Sequence, residues 1–238
     1  MTPHGCAAER HRDGGVDMEQ LWELLGVDRG VTAVMGSGGK TSLLYELAEE
    51  LRPQGTVLLA TTTHIMKPPQ YPFAETAEQL SAALAAEGVA CAGSFTPEGK
   101  LTAPDFDGWQ QAADFVLVEA DGSKRLPAKA HETWEPVLPS QRTRTICVVG
   151  ASAFGQPIRQ AAHRPAIFAR LAGVGWGSVI TPEMVARVIA AEGLCDVIYV
   201  NQVDAPETAL PWAASFVKAA GVPVAAGSLQ TRHWEKLS

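Results

Sequence analysis

The sequence predicts an α/β protein of three layers, in which helices cover both faces of a mostly parallel sheet. Two observations indicate this fold class. Continuously apolar strand-like runs alternate with amphipathic helix-like runs, which is the pattern of parallel strands buried on both faces. A glycine-rich segment with a Lys-Thr pair connects the first predicted strand to a helix, in the strand–loop–helix context that a phosphate-binding loop requires.

The predicted elements follow from hydrophobic periodicity. The predicted strands are residues 31–35, 56–60, 115–119, 145–149, 196–200 and 223–226. The predicted helices are residues 18–25, 42–51, 74–87, 182–191 and 206–220. The helix at 182 has a clear start, because Thr181 can cap it and Pro182 takes its first position. Ligands of such sheets bind beyond the carboxyl ends of the strands, so the residues that follow each strand are the candidates for function.

The segment after the first strand is the most informative in the chain. It consists of Gly36, Ser37, Gly38, Gly39, Lys40 and Thr41. Glycines let the backbone curl so that several N–H groups converge on phosphate oxygens, and the following helix adds the positive end of its dipole. We expect Lys40 to contact the terminal phosphates and Thr41 to offer its hydroxyl to Mg²⁺. Val34 stands where the usual pattern has a glycine, and the remaining Gly-x-x-Gly-Lys-Thr spacing resembles the loop of Mur-type ligases.

Three hydroxyl residues follow the second predicted strand, namely Thr61, Thr62 and Thr63. At the carboxyl end of a strand, such hydroxyls can contact a γ-phosphate, its Mg²⁺ or a reacting water. The alternative is that they simply continue the strand, which threonine favours.

Two carboxylates, Glu119 and Asp121, follow the apolar run at 115–118. A carboxylate at the end of a strand can hold Mg²⁺ or its water, as a Walker B element does. Side chains two residues apart in an extended chain point the same way, so the two can share a metal or divide metal and catalytic roles. We therefore predict Lys40, Glu119 and Asp121 as the catalytic residues and Thr41, Glu119 and Asp121 as the Mg²⁺ ligands. Lys124, in the next loop, is a candidate contact for phosphate or an anionic substrate.

The predicted strand at 196–200 leads into Asn-Gln-Val-Asp at 201–204. This resembles the Asn-Lys-x-Asp signature with which GTPases bind guanine, where the aspartate accepts hydrogen bonds from the base. Gln202 replaces the lysine. The prediction is that Asn201 and Asp204 bind the base; the alternative is that Asp204 caps a following helix.

Length and composition fit one compact α/β domain. The chain has 238 residues and a net charge of −7, which argues against general binding to nucleic acid or to an anionic membrane. No apolar run approaches the roughly 20 residues that span a bilayer. We expect a disordered N-terminal lead at 1–16, a single P-loop nucleoside triphosphatase-like domain at 17–230, a C-terminal tail at 231–238, and a cytoplasmic location.

Several segments, taken in chain order, resemble the YqeC family, which are accessory proteins of selenium-dependent molybdenum hydroxylases. The resemblance covers about residues 17–227, and its most distinctive block is Glu-Ala-Asp-Gly-Ser-Lys at 119–124. The segments that carry it are 35–41, 59–64, 117–125, 129–139, 163–165, 180–183 and 201–204. It implies a phosphate-binding role for the loop at 36–41 and a role in maturing a selenium-containing molybdenum enzyme. His131 and Arg164 lie in the loop-rich middle of the chain, where we expect a substrate to bind.

These observations lead to a Mg²⁺-dependent nucleoside triphosphate-binding protein, with GTP or ATP as ligand and slow hydrolysis as the expected activity. The expected partners are the nucleotide and a molybdenum hydroxylase or its cofactor-processing proteins, with no nucleic acid and no membrane. Two alternatives stay open. One is a small-molecule phosphotransferase or acyl-phosphate ligase, and the other is a non-catalytic carrier of a nucleotide-bearing molybdopterin cofactor.

Overall fold

The structure is a computed structural model that describes residues 19–63, 70–97, 99–208 and 211–237. The predicted lead at 1–16 lies outside these residues. The strands are β1 (Gly30–Gly36), β2 (Val57–Thr61), β3 (Phe73–Ala74), β4 (Val89–Ala92), β5 (Ser94–Phe95), β6 (Leu101–Thr102), β7 (Phe115–Glu119), β8 (Ala128–Lys129), β9 (Arg142–Gly150), β10 (Ala162–His163), β11 (Val197–Asn201), β12 (Val224–Ser228) and β13 (His233–Lys236). The α-helices are α1 (Leu21–Leu24), α2 (Lys40–Leu51), α3 (Ala77–Glu87), α4 (Ile158–Ala161), α5 (Pro165–Ala172), α6 (Pro182–Glu192) and α7 (Ala213–Ala220).

A nine-stranded sheet runs through the protein in the order β13-β12-β11-β9-β1-β7-β2-β4-β3. Every neighbouring pair is parallel except β12 with β13, which is antiparallel. The predicted mostly parallel sheet is therefore confirmed. Strand β1 lies between β7 and β9, and Gly36 at its end is opposite Val148 of β9. The carboxyl ends of β1, β2, β7, β9 and β11 consequently meet at one edge.

Helices pack on both faces of this sheet, as predicted. Alternate residues of β1 point to opposite faces, and so belong to different cores. Val34 packs with α1 and α2, whereas Met35 packs with α5, α6 and α7 on the other face. Helix α3 covers the β2 and β4 end of that second face. None of the helices among the described residues is long and apolar enough to cross a membrane.

The six predicted strands are present, with boundaries that differ by up to three residues. The predicted helix at 206–220 is wrong at its start, because residues 206–208 form a 3₁₀ turn and α7 begins only at Ala213. The segment predicted as a C-terminal tail contains β13, which pairs with β12 and extends the sheet. Three of its four residues, His-Trp-Glu-Lys, are polar because an edge strand of this kind is not covered on both faces.

Candidate functional site

The loop between β1 and α2 has a backbone that only glycine can adopt without strain. Gly36, Gly38 and Gly39 have φ values of 94°, 83° and 131°. A Cβ on Gly36 would lie 2.3 Å from the Val148 carbonyl oxygen, and one on Gly38 would lie 2.2 Å from the Gly150 nitrogen. The loop therefore rests directly on the backbone of β9. Its glycines are required for this close approach.

Helix α2 begins at Lys40, so the loop runs straight into a helix N-terminus. The first N–H groups of a helix have no acceptor within the helix, and they carry the positive end of its dipole. The Lys40 ammonium is 2.8 Å from the Gly36 carbonyl oxygen, which closes the loop around a buried cation. The Ser37 hydroxyl is also buried and has no hydrogen-bond partner among the described residues. The loop thus concentrates donors and positive charge in a small volume.

The two predicted carboxylates both reach this loop from the end of β7. Lys40 Nζ lies 3.7 Å from Glu119 Oε1 and 3.3 Å from Asp121 Oδ1. The Thr41 hydroxyl donates a 2.9 Å hydrogen bond to Glu119 Oε2. Burial raises the pKa of Glu119 above its ordinary value, and nearby Asp121 adds to this, although Lys40 and Thr41 oppose it. Glu119 and Thr41 together offer hard oxygen atoms of the kind that Mg²⁺ prefers.

Asp121 has different surroundings, although it is only two residues away. Its Oδ2 atom accepts a 3.0 Å hydrogen bond from the Gly36 N–H, lies 3.0 Å from Lys129 Nζ and lies 2.7 Å from His131 Nε2. Burial alone would raise the pKa of Asp121, but the hydrogen bond with His131 and the charges of Lys40 and Lys129 hold it well below its usual range. Its Oδ2 atom is thus fully engaged by protein donors, whereas its buried Oδ1 atom has no hydrogen-bond partner among the described residues and faces Lys40 Nζ at 3.3 Å.

His131 is brought to this site by its position two residues after β8. It lies between Asp121 and Glu192, with Nδ1 2.8 Å from Glu192 Oε2. Burial would lower the pKa of His131, but the hydrogen bonds with Asp121 and Glu192 outweigh it and raise the pKa above its usual value. An imidazolium between two carboxylates can donate from both nitrogens.

Arg164, another predicted substrate residue, lies one layer further out. Its Nε donates to Glu135, and Glu135 is also 2.9 Å from Lys129 Nζ. Its guanidinium lies 5.5 Å from the centre of the exposed Trp134 ring. A chain of alternating charges thus runs from Lys40 through Asp121, Lys129 and Glu135 to Arg164. Lys124, which we predicted to contact phosphate or an anionic substrate, is exposed. Its φ is 50°, and it has no ion-pair partner among the described residues.

Thr61, the last residue of β2, and Thr62, which follows it, both donate to backbone carbonyl oxygens. The Thr61 hydroxyl donates to the Glu119 carbonyl oxygen at 2.9 Å, and the Thr62 hydroxyl donates to the Val137 carbonyl oxygen at 2.6 Å. The Thr63 N–H donates to the Thr61 hydroxyl. These contacts fix the end of β2 beside β7, and Thr62 and Thr63 lie in a bend after the strand.

Asn201 and Asp204 lie on the other side of the loop, at the end of β11. Asn201 Nδ2 donates to the Gly38 carbonyl oxygen at 2.8 Å, and its Oδ1 accepts from the Leu229 N–H at 3.2 Å. Asp204 Oδ1 accepts a 2.7 Å hydrogen bond from the Ser228 hydroxyl. A cavity of about 310 Å³ lies between them, which is a size found for small-molecule sites. It is lined by Gly38, Gly39, Ser42, Asn201, Gln202, Asp204, Ser228, Leu229 and Gln230.

Sequence reasoning did not single out several residues that complete this arrangement. Lys129 precedes His131 by two residues on an extended segment. This spacing puts both side chains on the same side of the segment, so the sequence could have indicated Lys129 as a site residue. Glu135 and Glu192 had no such signal, because they approach through loops and helix packing. Ser228 reaches Asp204 only because β12 lies beside β11. Gln202, in place of the expected lysine, has a φ of 67° and accepts a hydrogen bond from Ser152.

The chain is similar to known proteins in sequence and in structure. The chain is 34% identical over 162 residues to an uncharacterized protein YqeC from Escherichia coli (strain K12), which covers 60% of this chain and 61% of that relative. The alignment therefore spans less than two thirds of the relative's length. The 54 kDa signal recognition particle protein of Aeropyrum pernix K1, solved in complex with GDP, has a TM-score of 0.42 and 15% identity, covering 88% of this chain and 44% of that chain. A model of the YqeC protein family matches residues 32–166, and with this match to more than half of its length the chain belongs to the YqeC family.

Proposed function

We propose that this protein binds a nucleoside triphosphate with its phosphates in the loop at 36–41. The observation that carries the proposal is the loop itself, in which three glycines with positive φ lead into a helix that starts with Lys-Thr. Backbone N–H groups at such a turn and helix N-terminus form a binding site for phosphate oxygens. The buried Lys40 ammonium adds a full positive charge where the terminal phosphates would lie.

Binding would require Lys40 to exchange its partners. In the structure it is held by the Gly36 carbonyl oxygen and by the carboxylates of Glu119 and Asp121. A terminal phosphate offers several charged oxygens in place of one carbonyl. The two carboxylates hold the ammonium beside the loop.

Mg²⁺ would be held by the Thr41 hydroxyl and the Glu119 carboxylate. The two side chains are adjacent, and both supply oxygen ligands, which fits this ion. Mg²⁺ is commonly bound by one or two protein oxygens together with substrate phosphates, and it neutralises phosphate charge during transfer. Asp121 is assigned differently from the sequence-based expectation. Because its Oδ2 is taken by Gly36, Lys129 and His131, we assign it to organising the loop rather than to metal binding.

GTP is favoured over ATP by the cavity beside the loop. The cavity connects Gly38 and Gly39 of the loop to Asp204, so a nucleotide with its phosphates at the loop has space for its base there. Ser228 holds one oxygen of the exposed Asp204 carboxylate. Because each carboxylate oxygen has two lone pairs, both oxygens of Asp204 can still accept hydrogen bonds from a base that presents two adjacent donors, as guanine does and adenine does not.

Hydrolysis of the γ-phosphate is the proposed activity, and it can be tested at Glu119. Phosphate release from GTP should require Mg²⁺ and should fall by at least about tenfold in Glu119→Gln, which removes the carboxylate charge beside Thr41. Glu87→Gln is a matched control, because Glu87 is an exposed carboxylate at the end of α3. Equal release from wild type and Glu119→Gln would remove the proposed metal and catalytic role of this residue.

The biological role implied by the family resemblance is also a proposal. In this proposal the protein is an accessory factor with two nucleotide-dependent states. One state binds a molybdenum hydroxylase or its cofactor-processing proteins, and the other does not. Support comes from membership of the YqeC family alone. The test is binding to purified hydroxylase subunits with GDP or with a non-hydrolysable GTP analogue. Equal binding in both states would contradict the switch.

A further inference from the structure

One buried contact near the loop has no part in the proposed chemistry. Glu192, the last residue of α6, accepts two hydrogen bonds from His131. Its Oε1 lies 2.6 Å from the His131 main-chain nitrogen, and its Oε2 lies 2.8 Å from Nδ1. The exposed fractions are 7% for the Glu192 side chain and 3% for that of His131. Burying a carboxylate in this way is costly unless its oxygens are satisfied, and here both are.

The contact continues to the phosphate-binding loop through one further residue. His131 Nε2 is 2.7 Å from Asp121 Oδ2, and the same oxygen accepts the Gly36 N–H at 3.0 Å. The next peptide is also fixed, because the Ser37 N–H donates to the Val148 carbonyl oxygen at 2.8 Å. Three hydrogen-bonded side chains therefore connect the end of α6 to the first peptide of the loop. We call Glu192, His131 and Asp121 the α6 tether.

The position of Gly36 explains why such a tether matters. Its φ of 94° directs the chain out of β1 and into the loop, and there is no room for a side chain against β9. A backbone turn of this kind needs its N–H held if the following N–H groups are to face one ligand. Asp121 supplies the acceptor, and a carboxylate that can rotate would supply it poorly. His131 and Lys129 prevent that rotation by holding the same oxygen.

We propose that Glu192 and His131 are positioning residues for the phosphate-binding loop, which they hold through Asp121 and the Gly36 N–H. The proposal rests on the proposed function for its effect on nucleotide binding. Among the described residues neither side chain is hydrogen-bonded to residues 36–41, and the bonds that lead from them to the loop pass through Asp121. Glu192 also lies outside residues 32–166, so the tether adds an element from beyond the family match.

The experiment reads the Gly36 amide directly. Met35-Gly36 is the one Met-Gly pair in the sequence, so labelling methionine with ¹³C at the carbonyl and glycine with ¹⁵N isolates the Gly36 resonance. Hydrogen exchange at this amide is measured in the ligand-free protein, and GTP affinity is measured in parallel with Mg²⁺. The variants are Glu192→Gln, His131→Gln and His131→Leu. Arg187→Gln, which changes an exposed charge on the same helix, is the control.

We expect exchange at Gly36 to accelerate, and GTP affinity to fall, by about tenfold or more in Glu192→Gln and in His131→Leu, since each loses a charge-assisted hydrogen bond in a buried site. His131→Gln can still donate to Asp121 and should retain part of the protection that His131→Leu loses. Arg187→Gln should behave as the wild type.

Three results would overturn the proposal. One is unchanged Gly36 exchange in folded Glu192→Gln. Another is faster exchange with no change in affinity, which would leave the tether without a role in binding. If Glu192→Gln does not fold, equal exchange in His131→Gln and His131→Leu would overturn it instead. Failure of the wild type to bind any nucleotide would refute the proposed function, whereas the Gly36 comparison would still decide whether the tether exists.

Discussion

Two neighbouring carboxylates at the end of one strand have opposite electrostatic surroundings. Glu119 has few cationic partners for its degree of burial, which raises its pKa, whereas the contacts of Asp121 with His131, Lys40 and Lys129 lower its pKa. Sequence spacing predicted both beside the loop and left open whether they share a metal or divide metal and catalytic roles. The division of roles comes from His131 and Lys129, whose contacts with Asp121 depend on how residues 122–131 fold back.

Base selectivity should depend on Asp204. In Asp204→Asn, one acceptor oxygen is replaced by a donor, so GTP affinity should fall by about tenfold or more while ATP affinity stays the same. Titration calorimetry with each nucleotide measures both values. Glu207→Gln, which changes an exposed carboxylate three residues away, should alter neither. Equal GTP affinity in wild type and Asp204→Asn would refute the base assignment.

Stability should depend on pH through His131. Because its pKa is raised in the folded protein, its stabilising contribution is complete below the unfolded pKa of about 6.5 and is lost as the pH rises through the folded pKa. Glu192→Gln removes one of the carboxylates that raise this pKa, so the loss of stability should be smaller and should be complete at a lower pH. Urea unfolding between about pH 6 and 9 measures the effect. A parallel pH profile in wild type and variant would contradict this account of the pKa.

At the scale of secondary structure, the strands that the sequence predicts best are those buried on both faces, such as β1 and β7, because their apolar runs are continuous. Strand β4 was missed since its four residues, Val-Ala-Cys-Ala, are too few to distinguish from the end of a helix. Helix α5 was missed because it lies in a segment rich in proline and charge. The order of strands in the sheet, which places β1 between β7 and β9, is not encoded in local periodicity.

The loop at 36–41 should tolerate no side chain at Gly38. Gly38 and Gly155 have nearly the same φ, 83° and 82°, but a Cβ on Gly155 meets no atom within 4 Å. Gly155→Ala should therefore cost about 1–2 kcal/mol of unfolding free energy for its backbone conformation alone. Gly38→Ala should cost more and should also abolish nucleotide binding, because the loop must move off β9. Denaturant unfolding measures both losses. Equal losses of unfolding free energy in the two variants would mean that the close contact with Gly150 adds no cost at Gly38.

At the scale of the whole molecule, the site is assembled from both halves of the chain. The loop and both carboxylates come from residues 36–121, whereas Asn201, Asp204 and Ser228 approach from the β11 and β12 side. Sequence motifs predicted most of these positions, because each follows a strand that ends at the same edge of the sheet. The motifs did not predict that β13 completes the β11 and β12 side of the sheet.

Deletion of residues 231–238 should therefore destabilise the protein. It would remove β13, expose the edge of β12, and remove Trp234, which packs on the core beneath α1 and donates to the Glu19 carbonyl oxygen. We expect a lower midpoint of thermal unfolding and a larger loss of GTP affinity than of ATP affinity, since Ser228 at the end of β12 positions Asp204. A truncated protein that melts at the wild-type temperature would restore the interpretation of this segment as a tail.

The central claim is that the loop at 36–41 binds the phosphates of a nucleotide, and the most direct test is titration calorimetry of wild type and Lys40→Ala with Mg²⁺ and a non-hydrolysable GTP analogue. We predict saturable binding of one nucleotide per chain by the wild type, weakened by about 2 kcal/mol or more in Lys40→Ala because a charge-assisted phosphate contact is lost. Lys218→Ala, at an exposed position in α7, should bind as the wild type does. No binding by the wild type, or equal binding by Lys40→Ala, would contradict the claim.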